Sequence, residues 1–273
     1  MSLRISKDTQ LCISMSARPS NIGTRFHNYL YEALNLDFVY KAFAPRDIED
    51  AVAGIRSLGI RGAAVSMPFK QSVIEHLDAI DDTASVIDAV NTIVNDDGYL
   101  TGYNTDFIAV RQLLLSSKLD PDVTIAVLGS GGMARAVMAA VADLGYENRF
   151  VVARNVARGE QIAQQYDANY LAALEHLRPD VIINATPVGM AGAAAEHQLP
   201  LDVSLIPSAQ LVFDVVAVPA NTLLIQTAVA HRVPVIRGTE VMTLQAVEQF
   251  VLYTGIRPDA ELVTRASEYS RSS

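Results

Sequence analysis

A lysine and an aspartate stand where a proton could be moved. Lys70 ends the motif Ser66-Met-Pro68-Phe-Lys70, which follows a predicted buried strand at residues 62–66. Because proline suits the first turn of a helix, the motif predicts a helix that begins there and carries Lys70 near its positive dipole end. That field would favour the neutral amine, which is the form that can accept a proton. An ordinary surface lysine explains the residue equally well at this stage.

Asp106 lies in Asn104-Thr105-Asp106, at the start of a helix predicted over residues 104–117. Thr105 can cap this helix, and a carboxylate in the first turn is stabilised by the helix dipole. Asp106 is therefore either a good helix-start residue or an acid–base group that works with Lys70.

A glycine-rich loop follows the predicted strand at residues 124–128, and it leads into an apolar helix at residues 137–144. Gly129 permits the tight turn, Gly131 lets the backbone approach a pyrophosphate, and Ala134 stands where the helix meets the strand. The helix N-terminus offers unpaired N–H groups to phosphates. The loop predicts a dinucleotide site; an unliganded turn or an S-adenosylmethionine site are the alternatives.

Two arginines follow the second strand of this half, which is predicted at residues 150–153. An NAD site usually has an acidic residue about 20 positions after the glycines, where its carboxylate binds the ribose 2′-hydroxyl. Here the chain has Arg154 and, one helical turn later, Arg158. Guanidinium groups attract a 2′-phosphate, so the pattern favours NADP over NAD unless both arginines only solvate a helix start.

Composition limits the class of protein. The chain has 273 residues, half of them hydrophobic, a formal net charge of −9 and one cysteine, Cys12. A basic surface for nucleic acid, a disulfide framework and a Cys-rich metal site are thereby excluded, and no metal is expected. The chain shows no secretion signal and no membrane-length apolar run, so we expect a cytoplasmic protein without nucleic-acid or membrane partners.

Short apolar runs alternate with amphipathic stretches, which predicts an α/β fold with largely parallel sheets. We predict strands at residues 11–14, 38–43, 62–66, 92–95, 124–128, 150–153, 181–185, 211–215 and 235–236, and helices that include residues 45–58, 241–253 and 258–269. Asp96-Asp97-Gly98 predicts a hairpin turn. Residues 107–237 are the predicted Rossmann NADP-binding domain. Residues 1–106 and 238–273 are the predicted substrate-binding domain, to which the C-terminal helices return.

An ordered series of motifs spans nearly the whole chain and resembles the shikimate dehydrogenase family. The series is Ser14-x-Ser16, Ser66-Met-Pro68-Phe-Lys70, Ala89-Val-Asn91-Thr92, Asn104-Thr105-Asp106, Gly129-x-Gly131-Gly132, Asn184-Ala-Thr186-Pro-x-Gly189-Met190 and Gln245-Ala246. The resemblance implies an NADP-dependent oxidoreductase that interconverts 3-dehydroshikimate and shikimate in the chorismate pathway of aromatic amino-acid biosynthesis. It also implies an N-terminal α/β substrate domain and a central Rossmann domain.

The resemblance assigns a role to each matching residue. Lys70 and Asp106 match the proton-transfer pair. The residues that match substrate ligands are Ser14, Ser16, Ser66, Asn91 and Gln245. The residues that match the cofactor site are Gly129, Ser130, Gly131, Gly132, Met133, Ala134, Arg154, Arg158, Thr186, Pro187, Val215 and Gly238. The partner is then a small shikimate-like acid, and the protein is expected to be a monomer or a homodimer.

The chain departs from the family pattern after its first two serines. The family motif runs compactly from the second serine to His-Asn, whereas Ser16 and His27 are separated here by a longer and more basic stretch, interpreted as a loop. Within it, Arg18 or Arg25 could meet the carboxylate of the substrate or stay solvated.

Two further departures concern the binding sites. Ala217 stands where the family commonly has Tyr, and Ala153 and Asn155 replace Asn and Thr on either side of the first arginine. These features resemble a divergent shikimate dehydrogenase-like branch. Since a lost hydroxyl contact weakens a buried polar site, turnover of shikimate is predicted to be poor. Quinate or aminoshikimate as the substrate, and a non-catalytic NADPH-binding sensor, remain the alternatives.

Overall fold

Apart from four N-terminal residues and the last residue, the computed structural model describes the whole chain, residues 5–272. Within that range the strands are β1 Gln10–Met15, β2 Phe38–Phe43, β3 Gly62–Val65, β4 Ala79–Ile80, β5 Thr92–Asp96, β6 Tyr99–Tyr103, β7 Ile125–Leu128, β8 Arg149–Val152, β9 Asn169–Leu171, β10 Val181–Asn184, β11 Leu211–Asp214 and β12 Val235–Arg237. The α-helices of the same range are α1 Asn21–Ala33, α2 Ile48–Ser57, α3 Asp82–Ser85, α4 Thr105–Ser116, α5 Gly132–Asp143, α6 Val156–Gln165, α7 Leu223–Ala230, α8 Gly238–Thr254 and α9 Ala260–Arg271.

The described residues divide into two compact units. One unit comprises the residues up to Thr105 together with those from Thr243 onward, and the other comprises Asp106–Met242. Each unit has its own six-stranded sheet. None of the helices in residues 5–272 has the combination of length and apolar character that a membrane span requires.

The sheet of the first unit has the order β2-β1-β3-β5-β6-β4. Strands β2, β1 and β3 are parallel, whereas β5 runs antiparallel to both β3 and β6. The turn between β5 and β6 contains Asp97 and Gly98 with positive φ, so the predicted hairpin is confirmed. Helix α9 packs against α1 of this same unit, so the C-terminal helices return to the first domain as predicted.

The sheet of the second unit has the order β12-β11-β10-β7-β8-β9, and all its strands are parallel. This is the strand order of a Rossmann fold. Strands β7, β10 and β11 are buried along their whole length, because helices cover both faces of such a sheet. The predicted α/β class and the Rossmann architecture are therefore confirmed.

Two local predictions near the candidate acid–base residues are wrong. Residues 67–73 form consecutive turns followed by a single 3-10 turn at Ile74–His76, where a helix was predicted. The Lys70 carbonyl accepts a hydrogen bond from the N–H of Val90 at 2.8 Å, which competes with the bonding of a helix. Lys70 therefore does not lie in the first turn of a helix, and no helix dipole favours its neutral form. Helix α4 begins at Thr105, so Thr105 is its first residue rather than its cap.

The long loop predicted after Ser16 is also wrong. Helix α1 begins at Asn21, so only residues 17–20 form the connection, and His27 lies inside the helix. Arg18 is exposed, while the Arg25 guanidinium donates a hydrogen bond to the carbonyl of Ser272. Residues 21–26 of the stretch between Ser16 and His27 thus belong to a helix and not to a loop.

A histidine lies at the centre of the aromatic core of the first unit. His27 is fully buried, and its ring stacks on Tyr40 with ring centroids 4.4 Å apart. The other rings around it belong to Phe26, Tyr31, Phe250 and Tyr253. Burial among these rings lowers the pKa of His27 from 6.5 to about 3, because a charged imidazole would lose its hydration.

The buried imidazole predicts an acid-sensitive fold. Below pH 6.5 the unfolded chain protonates His27 while the folded chain keeps it neutral, so stability is lost as pH falls from 6.5 towards 3. One such group contributes a slope of up to about 1.4 kcal/mol per pH unit. The free energy of unfolding, measured by urea titration, should change less with pH for His27→Phe than for the native chain between about pH 4.5 and 6.5. The exposed control His231→Gln should keep the pH dependence of the native chain. The same pH dependence of the free energy of unfolding in all three proteins would contradict the prediction.

Candidate active site

Three hydroxyl groups lie at one edge of the first sheet. Ser14 and Ser16 stand at the end of β1, and Ser66 directly follows β3. Because β1 and β3 are parallel, their carboxyl ends meet at the same edge. The N–H of Ser66 donates to the carbonyl of Met15 at 2.9 Å, which continues the pairing to the place where the serines stand.

The antiparallel strand β5 adds an asparagine to the same edge. Asn91 precedes β5, and its carbonyl accepts a hydrogen bond from the N–H of Val65 at 2.7 Å, at the end of β3. The neighbouring Val90 N–H holds the backbone of Lys70 at 2.8 Å. The carbonyl of the half-buried Lys70 is therefore hydrogen-bonded to the residue that precedes Asn91, which places the two residues close together. The structure therefore brings Ser66, Lys70 and Asn91 together.

Helix α8 supplies the last of the predicted substrate residues. The amide Nδ2 of Asn91 donates to Oε1 of Gln245 at 3.4 Å, and Asn91 is only 2% exposed. One turn further along the helix, Gln249 donates through Nε2 to the hydroxyl of Thr92 at 3.1 Å. The two glutamines lie on one face of α8 and fix it against the start of β5.

Asp106 is the second residue of α4 and is half-buried. Thr105 immediately before it is fully buried, and its N–H donates to Oδ1 of Asn91 at 2.8 Å. The start of this helix is therefore held by the same asparagine that contacts Gln245.

Tyr40 lies on β2 beside β1, and the sequence analysis did not single it out. Its ring is buried against His27. Burial raises the pKa of Tyr40, so its hydroxyl stays protonated. Nothing in the local pattern of β2 distinguishes this tyrosine from an ordinary core residue.

The second unit contains a cavity of about 1000 Å³ at the carboxyl ends of β7, β8 and β10. In a sheet of this order, a dinucleotide binds at these strand ends. The predicted cofactor residues that line the cavity are Gly129, Ser130, Gly131, Arg154, Arg158, Thr186 and Pro187. Those that lie outside its lining are Gly132, Met133, Ala134, Val215 and Gly238.

The glycine loop has the geometry that a phosphate site requires. Gly129 has a φ of +118°, and a Cβ there would lie 2.9 Å from the carbonyl oxygen of Ala185, so only glycine fits. A Cβ at Gly131 would meet no heavy atom within 4 Å, which leaves room for a ligand. Helix α5 begins at the next residue, Gly132, and the buried Ala134 packs its first turn onto the sheet. The residues present therefore fit a bound pyrophosphate.

Arg154 and Arg158 both line the cavity and are exposed. The side chain of Asn155 caps α6 by accepting from the N–H of Arg158 at 3.0 Å, so the departure from the family residue keeps the helix start intact. Arg178 lines the same cavity and was missed by the sequence analysis, because it lies outside any phosphate motif.

A buried carboxylate holds the segment around Thr186, which lines the cavity. Asp214 accepts from Nδ2 of Asn184 at 2.9 Å and from the hydroxyl of Thr222 at 2.5 Å. Asn184 in turn accepts from the hydroxyl of Thr186 at 2.6 Å. Burial raises the pKa of Asp214, and the hydrogen bonds to the carboxylate oppose that effect.

Val215 and Gly238 meet at the end of this sheet. A Cβ on Gly238 would lie 2.4 Å from the carbonyl oxygen of Val215, so the two backbones approach as closely as only glycine allows. The structure thus brings together these two predicted cofactor residues.

Comparison with known proteins matches each unit of the chain to a family model. Residues 19–93 match the family described as shikimate dehydrogenase substrate binding domain. Residues 124–217 match the family described as NADP oxidoreductase, coenzyme F420-dependent. The first match falls within the unit that carries the serines, and the second falls within the Rossmann unit.

Full-length relatives give the same assignment. The chain is 48% identical to a shikimate dehydrogenase-like protein of Haemophilus influenzae, over 98% of this chain and 99% of that one. The chain belongs to the shikimate dehydrogenase family. It is also 33% identical to the shikimate dehydrogenase (NADP(+)) of Archaeoglobus fulgidus, over 90% and 93% of the two chains.

A solved structure matches throughout its length. The shikimate 5-dehydrogenase of Thermus thermophilus, in complex with NADP(H) and shikimate, superposes with a TM-score of 0.86 at 26% identity, over 96% of this chain and 99% of that one. The protein is therefore an oxidoreductase of the shikimate dehydrogenase family, and its cofactor is NADP, as the arginine pattern predicted.

The two glycines of the loop are predicted to respond differently to an added methyl group. Gly129→Ala should lower the free energy of unfolding by about 1–3 kcal/mol, because its φ and the Ala185 oxygen both oppose a side chain. Gly131→Ala should keep its stability and weaken NADP binding about tenfold or more, a cost of at least about 1.4 kcal/mol. Urea unfolding and calorimetric titration separate the two effects.

Gly54→Ala on α2 is the matched control, since a Cβ there meets nothing within 4 Å. Gly54→Ala should neither lower the free energy of unfolding nor weaken NADP binding. Equal destabilisation by Gly129→Ala and Gly131→Ala would contradict the interpretation of the loop.

The arginines predict a cofactor preference that can be removed. Arg154→Ala and Arg158→Ala should each raise the Kd for NADP by about 10- to 100-fold, because each loses a charge-assisted bond to the 2′-phosphate. The Kd for NAD should change little. Calorimetric titration with each nucleotide measures the two Kd values, and the exposed Arg46→Ala of the first unit serves as the control. A similar loss for NADP and NAD would refute a role in 2′-phosphate recognition.

Proposed function

We propose that the protein interconverts 3-dehydroshikimate and shikimate with NADP, as an enzyme of the chorismate pathway. The observation that carries the proposal is the group of Ser14, Ser16, Ser66, Lys70 and Asn91 at one sheet edge, with Gln245 against the asparagine. Hydroxyl and amide groups of this kind match a ring acid that carries a carboxylate and several hydroxyls.

Each side chain has a role that its chemistry supports. Ser14 and Ser16 donate hydrogen bonds to the substrate carboxylate. Asn91 and Gln245 bind ring oxygens. Arg25 takes no part in this arrangement, since its guanidinium is engaged with the Ser272 carbonyl.

Lys70 and Asp106 are the proposed proton-transfer pair. When bound, NADP supplies the hydride acceptor or donor for the carbinol carbon. In the oxidative direction Nζ of Lys70 takes the proton of the reacting hydroxyl, and in the reductive direction it returns that proton to the new alkoxide. The Asp106 carboxylate orients the amine and balances its charge once it is protonated.

The half-buried Ala217 favours a second candidate within the same reaction class. Tyr at this position would add a hydroxyl contact to the substrate, whereas Ala offers only a methyl group. A substrate without a substituent at that point would lose less binding energy from this change than shikimate does. Quinate and aminoshikimate are the alternatives to shikimate, and a non-catalytic NADPH-binding sensor is the alternative to an enzyme. A cytoplasmic location and a monomer or homodimer stay predictions.

A substrate screen with saturating NADP tests the proposal. Shikimate, quinate and aminoshikimate are compared by kcat/KM, with NADP and with NAD. Lys70→Ala should lower kcat by at least about 100-fold, because a positioned acid–base group contributes about 100- to 10000-fold to the rate. Asp106→Asn should lower kcat as well, and the exposed Lys41→Ala should not.

Two results would overturn the proposal. If none of the three acids reduces NADP or NAD, the protein is not a dehydrogenase of this class. If the protein binds NADPH tightly and Lys70→Ala changes nothing measurable, the sensor is the better explanation.

A further inference from the structure

The two oxygens of one buried carboxylate in the Rossmann unit serve different neighbours. Asp214 ends β11, beside Asn184 at the end of the parallel strand β10, and both side chains are fully buried. Oδ1 of Asp214 accepts from Nδ2 of Asn184 at 2.9 Å and from the backbone N–H of Val216 at 3.0 Å. Its Oδ2 accepts from the hydroxyl of Thr222 at 2.5 Å, at the N-terminus of α7.

The hydrogen bonds on the Oδ1 side continue to the wall of the cofactor cavity. Oδ1 of Asn184 accepts from the N–H of Thr186 at 3.1 Å and from its hydroxyl at 2.6 Å. Nδ2 of Asn184 also donates to the carbonyl of Val188 at 3.1 Å, and Thr186 and Val188 both line the cavity. Because a backbone N–H can only donate, the amide oxygen of Asn184 must face Thr186 and its NH₂ group must face the carboxylate.

These two strand ends belong to one half of the dinucleotide site. In a sheet of this order, a dinucleotide lies across the carboxyl ends of the strands, with one mononucleotide on each side of the switch point, here between β7 and β10. Arg154 and Arg158, which are assigned to the 2′-phosphate, follow β8 on the adenosine side. The ends of β10 and β11 therefore belong to the nicotinamide side.

We infer that Asp214 is a positioning residue for the nicotinamide half of NADP. Its Oδ1 holds the loop at Thr186 through Asn184 and holds the backbone at Val216 directly, so the segments that follow β10 and β11 keep one spacing. Asp214 acts through these residues, because it is fully buried and lies outside the lining of the cavity. The inference depends on NADP as the cofactor and not on which acid is the substrate.

The test compares the Kd of NADP with the Kd of adenosine 2′,5′-bisphosphate, a fragment that keeps the 2′-phosphate and lacks the nicotinamide half. Calorimetric titration measures both. Asp214→Leu has a similar size but no acceptor, so the N–H donors of Asn184 and Val216 lose their partner. The variant should raise the Kd of NADP by at least about tenfold and keep that of the bisphosphate within about threefold. A merely structural role would weaken both ligands.

Asp214→Asn separates the two sides of the carboxylate. The amide oxygen can take the place of Oδ1, while the NH₂ group replaces Oδ2 and meets the hydroxyl of Thr222. This variant should keep the Kd of NADP within about threefold of the native value, because the acceptor for Asn184 and Val216 is retained. Its Tm should fall, because the bond at the start of α7 is disturbed.

Asp180 provides a matched control at the opposite ends of the same strands. It lies directly before β10, where its carboxylate accepts from the N–H of Thr124 at 2.9 Å and from Nε2 of Gln210 at 3.0 Å. Asp180→Leu removes two comparable hydrogen bonds far from the carboxyl ends. It should lower the Tm and leave the ratio of the two Kd values unchanged.

Asp214→Ala is the second variant, since leucine among buried polar groups can prevent folding. The smaller side chain leaves room for water to pair the donors, but water does not fix the spacing, so the Kd of NADP should again rise more than that of the bisphosphate. Equal loss of both ligands in the leucine and alanine variants, or an unchanged ratio of Kd values in either, overturns the inference. A loss of NADP affinity in Asp214→Asn as large as in Asp214→Leu also overturns it, because the acceptor oxygen would then not be the group that positions the cofactor.

Discussion

One buried asparagine is hydrogen-bonded to residues of four different elements. The N–H of Asn91 donates to β6 at Tyr103, and its carbonyl accepts from β3 at Val65. Its side-chain oxygen holds the start of α4 at Thr105, and its side-chain nitrogen meets α8 at Gln245. Leaving polar atoms so deeply buried without partners is costly, so these hydrogen bonds strongly favour this arrangement.

The candidate substrate site depends on that constraint because its residues come from distant parts of the sequence. The serines are set by parallel pairing, Lys70 by a bond to the residue before Asn91, and Gln245 by the asparagine itself. A change at Asn91 would therefore move several substrate groups at once. The same pairing uses the side-chain oxygen of Asn91 inside the protein, where Thr92 and Thr105 both donate to it.

The cofactor site of the second unit is built by a different constraint, the close approach of backbones at the ends of a parallel sheet. Gly129 and Gly238 are glycines because carbonyl oxygens occupy the space of a Cβ. The buried Asp214 fixes the loop at Thr186 through Asn184. The arginines need no such support, since they are long exposed side chains whose recognition of a phosphate depends on charge.

Local sequence determined the features that depend on nearest neighbours: the parallel strands, the hairpin at Asp97-Gly98, the glycine loop and the arginines that follow it. Their physics is short-range, because periodicity, turn conformation and charge act within a few residues. The family resemblance named the residues of the substrate site but not what orients them. Only the tertiary structure decided that residues 67–73 are turns and that Asn91 joins Val65, Tyr103 and Thr105. Each of these follows from hydrogen bonds between segments far apart in the chain, for which no local pattern carries a signal.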